Sequence, residues 1–231
     1  MAAAGSGERL GAGGPKAFVQ LAGRPMVEWS VAAMRATASV RSIVVACPPG
    51  HVHDLGGGDL DLVDGGNTRS QSVANALKTV RTELVAIHDA ARPLATPGLV
   101  EGVIATLVAD PGADGAIAAT PVTDTIKRVP ASTGPTNAPF DGVGIPSGAH
   151  VVEETVDRGA LWAAQTPQVF RAEVLRRALD ADPSQVESAT DEAMLVEAAG
   201  GRVLVHPSSP GNLKVTTPLD LRLAEQLLAE R

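Results

Sequence analysis

Several short stretches of this 231-residue chain carry residue types that could act on a phosphate. The first is Ala3-Ala4-Gly5-Ser6-Gly7-Glu8-Arg9, followed by Pro15-Lys16. Small residues let a backbone approach a ligand closely, and successive loop amides can point at phosphate oxygens. Arg9 and Lys16 add positive charge where a polyphosphate would lie. The spacing departs from two known phosphate templates. A dinucleotide fingerprint anchored at Gly5 and Gly7 would need glycine at Leu10, and a P-loop would need glycine at Pro15 and Ser or Thr at Ala17. A loose N-terminal tail is the plain alternative for the same residues.

A second stretch, Asp64-Gly65-Gly66-Asn67-Thr68-Arg69-Ser70-Gln71-Ser72, puts a Gly-Gly turn after a strand and polar residues at a helix start. Backbone groups at Gly66 and Asn67 and the Ser72 hydroxyl could read a base edge. A strand-turn-helix connection with a Ser or Thr cap explains the residues equally well. In Ile87-His88-Asp89-Ala90-Ala91-Arg92-Pro93, a buried strand ends on an acid, with a cation three residues on. A carboxylate there could help hold Mg²⁺ or accept a substrate hydroxyl, and a structural Asp89–Arg92 pair is the plain alternative. His88 reads as structural rather than as a base, and His51-x-His53 is a weak metal pair.

Weaker signals follow. Asp124-Thr125-Ile126-Lys127-Arg128 and Thr155-Val156-Asp157-Arg158 carry cations that could bind phosphate or keep an exposed edge soluble. Gln165-Thr166-Pro167-Gln168 and Ala189-Thr190-Asp191-Glu192-Ala193 read as polar turns leading into helices. Gly211-Asn212-Leu213-Lys214-Val215-Thr216-Thr217-Pro218 places a lysine near a helix start. Residues 180–197 hold six carboxylates and no Lys or Arg, which reads as a solvated helix face.

These stretches need a scaffold. Apolar runs at 43–46, 84–87, 115–118 and 203–205 suit strands buried on both faces of a parallel sheet. Helical patterns lie at 27–36, 70–80, 99–108, 172–179 and 218–230; in the last, Leu219, Leu223, Gln226 and Leu227 mark one face. The alternation implies an α/β fold with a mostly parallel central sheet covered on both sides, and ligands at the carboxyl ends of its strands. Residues 131–148 are rich in Gly, Pro and small polar residues and join two β-prone segments, 123–129 and 150–156. They read as the flexible tip of a β-arm projecting from the sheet at about 123–158.

Length suits one domain spanning 1–231. A 44% hydrophobic, 19% charged composition fits a soluble globular protein. A net charge of −7 and the absence of Tyr argue against a nucleic-acid binder, so an anionic substrate must be met by a few positioned cations. No apolar run approaches a membrane span, and no signal peptide is readable. The single cysteine, Cys47, lies in a buried strand and reads as a core residue; a reducing cytoplasm is the natural compartment.

Taken in this order, the segments resemble the 2-C-methyl-D-erythritol 4-phosphate cytidylyltransferase family of the non-mevalonate isoprenoid pathway, from Ala3 to beyond Thr217. The most specific pieces are residues 3–10, Pro15-Lys16, 88–93, Thr166-Pro167-Gln168, 190–193 and Lys214-Val215-Thr216. The resemblance implies a Rossmann-like nucleotidyltransferase fold and a homodimer formed by crossing β-arms. It implies that Ala3, Ala4, Gly5, Gly66, Asn67 and Ser72 surround the cytidine of CTP, and that Arg9, Lys16 and Lys214 grip the triphosphate. Asp89 would lie near Mg²⁺ and the methylerythritol hydroxyls, with Thr166 and Thr190 lining the acceptor pocket. Arg92, Thr125 and Arg158 would reach the acceptor, some of them across the dimer.

The nearest alternatives are a ribitol 5-phosphate cytidylyltransferase and a truncated, non-catalytic nucleotide-binding homologue. Ala91 and residues 190–193 favour the methylerythritol enzyme, and retention of Arg9, Lys16 and Lys214 favours an active one. Three departures stand out. The family's opening strand, which would lead into Ala3, is absent from the chain as given, so neighbouring strands are expected to lose hydrogen-bond partners, at a cost in stability and activity. The arm is longer than the family's usual hairpin, through 135–148, and Gly211 stands where an acidic residue is common.

Overall fold

The computed structural model describes residues 1–5, 10, 14–51, 55, 60–130 and 151–231; Arg9, His53 and the arm tip at 131–150 lie outside them. The chain opens with a 3-10 turn (Lys16–Phe18) and a small ladder, β1 (Gln20–Leu21) and β2 (Arg24–Pro25), leading into α1 (Met26–Arg35). Then come β3 (Ile43–Cys47), β4 (Leu60–Asp64), α2 (Arg69–Leu77), β5 (Leu84–Ile87), α3 (Pro97–Ala109) and β6 (Gly115–Pro121). The arm strands β7 (Ile126–Arg128) and β8 (Glu154–Val156) precede β9 (Trp162–Arg171). The chain finishes with α4 (Ala172–Leu179), α5 (Pro183–Ser188), α6 (Glu192–Ala198), β10 (Val203–Pro207) and α7 (Pro218–Ala229).

The apolar runs do become strands. Every residue of β3 is buried, as are the first five of β6. β10 runs parallel to β6, and β3 parallel to β4. β9 lies between β6 and β5 and runs antiparallel to both, so the four-stranded sheet β10-β6-β9-β5 is mixed. Helices start where short polar side chains can accept an orphan amide. Thr68 caps α2, Thr96 caps α3, and Thr217 caps α7 in a reciprocal box with Asp220.

Three expectations need correction. Gln165-Thr166-Pro167-Gln168 is not a turn into a helix; it lies inside β9, because its polar side chains find partners in the fold instead of water. The acidic run is not uniformly solvated: Glu192 is 0% exposed and ion-paired to Arg69. In α7 the core side is Ala224, with Leu221, Leu227 and Leu228 packed beside it; Leu219 is 65% exposed, since α7 meets the core along a different stripe.

The arm limbs pair as expected, with Ile126 opposite Val156 and Arg128 opposite Glu154. The more consequential feature is a seam. Met1–Ala3 lies between β3 and the segment just beyond β5 and bonds to both: Met1 N to Val44 O (2.6 Å), Ala46 N to Met1 O (3.0 Å), Ala3 N to Ala46 O (3.0 Å), Ala2 N to His88 O (2.9 Å) and Ala90 N to Ala2 O (3.0 Å). Below Met1 the two strands are separated by an apolar slot of about 230 Å³, lined by Ile43, Val44, Leu84, Val85, Ile87 and Val169 among others. Burial of the Met1 ammonium at its head lowers that group's pKa to about 6.

Adding four apolar β-formers ahead of Met1 is therefore expected to raise the melting temperature by roughly 5 °C or more, as a few kcal/mol does in a chain of this size. A charged extension of equal length should leave it unchanged. Equal melting curves for the two would show that the slot does not take a strand.

Candidate active site

The site gathers at the carboxyl ends of β3 and β5. From one side comes the loop after the seam: Ala3 is buried against Ala46, and the Gly5 carbonyl accepts the Lys16 amide (3.1 Å), which sets the 3-10 turn beside the loop. From the second side comes the turn after β4. Gly65 N donates to Cys47 O (2.7 Å), Gly66 N donates to Ser72 Oγ (2.9 Å), and the Ser72 hydroxyl donates to Thr68 O (2.9 Å). The capping reading of this segment thus holds through Thr68, and Ser72 in addition braces the Gly-Gly turn. From the third side comes Asp89, just beyond β5. The segment bearing Lys214 is drawn in by Val215 N bonding to Ala91 O (2.8 Å).

Together these bound a cleft of about 580 Å³. Ala3, Ala4, Gly5, Lys16, Gly66, Asn67, Ser72, Asp89 and Lys214, all expected from the sequence, line it. Asp89 is its electrostatic centre. Lys214 Nζ sits 2.7 Å from Oδ2, while Arg69 Nη2 and Nε lie 3.0 and 3.1 Å from Oδ1. Burial by itself would raise the Asp89 pKa; Arg69 and then Lys214 more than offset that and hold the carboxyl well below the usual range. The alternative reading, a structural Asp89–Arg92 pair, does not form; Arg92 bonds elsewhere.

Other expected residues stand behind or outside the cleft. Arg92 is buried, with Nη1 donating to Asn212 O (2.6 Å) and Nη2 to Ala164 O (3.3 Å). Asn212 Nδ2 in turn donates to Gln165 Oε1 (2.8 Å) and Thr166 O (2.9 Å). Arg92 thereby fixes the two segments that carry Lys214 and Thr166. Thr166 is buried, and its Oγ1 accepts the Asp89 amide (3.0 Å). Thr190 is exposed before α6. Thr125 and Arg158 are exposed on the arm, where Arg158 Nη1 donates to Thr123 O.

His88 shows why Asp89 is held so firmly. Its Nε2 faces the Arg92 carbonyl (3.2 Å), and its Nδ1 faces Thr166 Oγ1 (3.1 Å). A carbonyl can only accept, so Nε2 carries the proton, and Nδ1 accepts from the Thr166 hydroxyl. Burial pushes the imidazole down to about 4, against the pull of Asp89, so His88 is neutral and structural. Its folded pKa lies below the unfolded value near 6.5, so between pH 6.5 and 4 the unfolded chain binds the extra proton. The His88 contribution is complete above pH 6.5 and is lost as pH falls toward 4. We expect the chain to lose on the order of 1–2 kcal/mol of stability from pH 7.5 to 5 through this group, read as a shift in denaturation midpoint, and a His88→Gln variant to lose less over the same range. Parallel pH curves for the two would remove His88 as the source.

Two site residues escaped the sequence reading. Arg69, at the first turn of α2, reaches both Asp89 and the fully buried Glu192, with Nη1 2.5 Å from Oε2. Its signal was an arginine next to a Gly-Gly turn, which resembles any solvated helix start until the fold sets β5 and α6 beside it.

A family model described as 2-C-methyl-D-erythritol 4-phosphate cytidylyltransferase matches residues 1–230. A relative of that name from Symbiobacterium thermophilum is 42% identical, over 99% of this chain and 91% of its own length. One from Ralstonia nicotianae is 40% identical, over 98% and 89%. Among solved structures, the 2-C-methyl-D-erythritol 4-phosphate cytidylyltransferase of Thermus thermophilus superposes with a TM-score of 0.74 at 34% identity, covering 93% of this chain and 94% of that one. The Francisella tularensis protein gives 0.77 at 26% identity, covering 97% and 96%.

Proposed function

Because the chain belongs to the 2-C-methyl-D-erythritol 4-phosphate cytidylyltransferase family, its reaction is transfer of CMP from CTP to 2-C-methyl-D-erythritol 4-phosphate with release of pyrophosphate, and we propose that the cleft performs it by alignment and charge neutralisation. One observation carries this reading. Among the described residues that line the cleft, three cations (Lys16, Arg69 and Lys214) face one carboxylate, Asp89, in a chain whose net charge is −7. An acidic protein that concentrates positive charge in one concave place is fitted to a polyanion.

In the proposed complex the cytidine lies against Ala3, Ala4, Gly5, Gly66, Asn67 and Ser72, and the triphosphate runs toward Lys16 and Lys214, with Arg9 joining them. An oxygen of the acceptor's 4-phosphate attacks the α-phosphorus. The bond from that phosphorus to the bridging oxygen breaks, and pyrophosphate leaves with the electron pair. A phosphate monoester is largely dianionic near neutral pH, so no general base is needed. The lysines oppose charge that grows on the leaving group, where fixed cations contribute most.

Mg²⁺ belongs to the same proposal. The described residues contain no group of three or more His, Cys, Asp or Glu able to hold a metal. A hard cation of this kind commonly takes one or two carboxylates and completes its shell with substrate phosphates, and Asp89 fits as that carboxylate once Lys214 moves off Oδ2. When bound, the ion would add neutralising charge at the phosphates. Thr125 and Arg158 are assigned to the acceptor through a homodimer in which β-arms cross, and Thr190 to the rim of the acceptor pocket. No helix among the described residues is long and apolar enough to cross a membrane. A cytoplasmic location is a separate part of the proposal.

The test is pyrophosphate release by the purified chain with Mg²⁺ and CTP, comparing methylerythritol 4-phosphate with ribitol 5-phosphate. Release with the first alone is expected. Release with ribitol phosphate alone would transfer the chain to the rival specificity, and silence with both would overturn the reading for this chain.

A further inference from the structure

The two cations on Asp89 differ in how freely they can leave. Lys214 is 42% exposed, and Asp89 Oδ2 is the carboxylate oxygen it holds. It can exchange that partner for a phosphate at little cost, because a half-solvated ammonium on a flexible stem is never stranded. Arg69 is 23% exposed and divides its guanidinium between Asp89 Oδ1 and Glu192 Oε2. Glu192 is 0% exposed, no other cation is paired with it among the described residues, and its Oε1 has no hydrogen-bond partner. If Arg69 swung toward a nucleotide, it would leave a buried carboxylate uncompensated, which is among the costliest changes a protein interior can undergo.

We infer that Arg69 is a positioning residue: clamped by Glu192, it keeps the Asp89 carboxylate anchored in the cleft while Lys214 exchanges Asp89 for the triphosphate. The division of the two carboxylate oxygens makes this workable. Oδ1 stays with Arg69 whatever Lys214 does, and Oδ2 is released to the reactants. Glu192 acts one step further back, by making Arg69 immobile. The backbone supports the same arrangement from beneath, where the Asp89 amide is bonded to Thr166. Lys16 and Lys214 meet the nucleotide; Arg69 holds what they work against. This rests on the transferase reading given above.

The experiment measures pyrophosphate release with CTP and methylerythritol 4-phosphate, CTP affinity by calorimetry, and thermal melting. It compares wild type with Arg69→Lys, Arg69→Ala, Glu192→Gln and the double variant Arg69→Ala/Glu192→Gln. The double variant guards against misfolding, since it neutralises the carboxylate that Arg69→Ala would strand. Loss of Arg69 should lower kcat roughly tenfold or more while CTP Kd moves less than about threefold, because a misplaced group costs turnover rather than binding. Arg69→Lys, which restores the charge, should recover part of that loss. The double variant should be no slower than Arg69→Ala, because Glu192 works through Arg69.

A roughly tenfold rise in CTP Kd in both Arg69→Ala variants would overturn the inference and make Arg69 a phosphate contact. Wild-type kcat in a folded Arg69→Ala or double variant would overturn it as well. Absence of turnover in the wild type sinks the transferase reading instead, so the two failures are distinguishable.

Discussion

A Lys214→Ala variant is expected to turn over roughly 10²-fold or more slowly than the wild type, the scale on which loss of one transition-state donor is felt. The loss should appear in kcat rather than in stability. Lys214 is 42% exposed, and ion pairs with that much solvent contribute only about 0–1 kcal/mol. Asp89 also keeps Arg69 after the lysine is gone. The melting temperature should thus hardly move, while the charge developing on pyrophosphate goes unopposed. Lys16→Ala belongs to the same class, because Lys16 stands across the cleft on the turn tied to Gly5. Steady-state pyrophosphate release at saturating CTP is the measurement. A folded variant with wild-type turnover would remove that lysine from the mechanism.

Gly65→Ala should be nearly as damaging by a different route. A Cβ built on Gly65 would lie 2.4 Å from the Ala4 Cβ, 2.9 Å from Cys47 O and 3.1 Å from Ser72 Oγ. None of these can swing aside. The first is fixed to the backbone, the second is backbone, and the third is held by Gly66 and Thr68. Overpacking of this kind costs about 1–3 kcal/mol, and here the displaced parts are the loop and turn that line one side of the cleft. CTP KM should rise roughly tenfold or more, and the melting temperature should fall by several degrees. An alanine variant with unchanged KM and melting temperature would show that the two segments can part without consequence.

Much of this site could be read from the sequence because its parts are local. The Gly-Gly turn, Asp89 and Lys214 each sit beside an element that strand patterns or caps announce, namely β4, β5 and the Thr217 cap of α7, and the Gly5 loop is announced by its own small residues. What could not be read is long-range pairing. Residues 165–168 look like a polar turn because nothing nearby satisfies them. Gln168 finds Asp191 (2.8 Å), Gln165 finds Asn212, and Thr166 finds His88, each a partner distant in sequence. Glu192 looked solvated for the same reason: its partner Arg69 lies 123 positions away. β9 itself was not among the strands read from the sequence, because the polar stretch 165–168 lies in its middle, and its antiparallel course was hidden with it.

The seam at Met1–Ala3 has a mechanical consequence. Of the residues lining the cleft, Gly66, Asn67 and Ser72 ride on β4 and α2, whereas Asp89 and Lys214 are attached to the sheet that ends in β5. Among the described residues, the backbone ladder between these two bodies is only the few bonds made by Met1, Ala2 and Ala3. In the proposed complex the nucleotide would span the same junction, with its base on one side and its phosphates on the other. With so short a ladder, the connection rests chiefly on side-chain packing across it, where Val73 and Leu77 of α2 share one apolar cluster with Ile87 and Phe170.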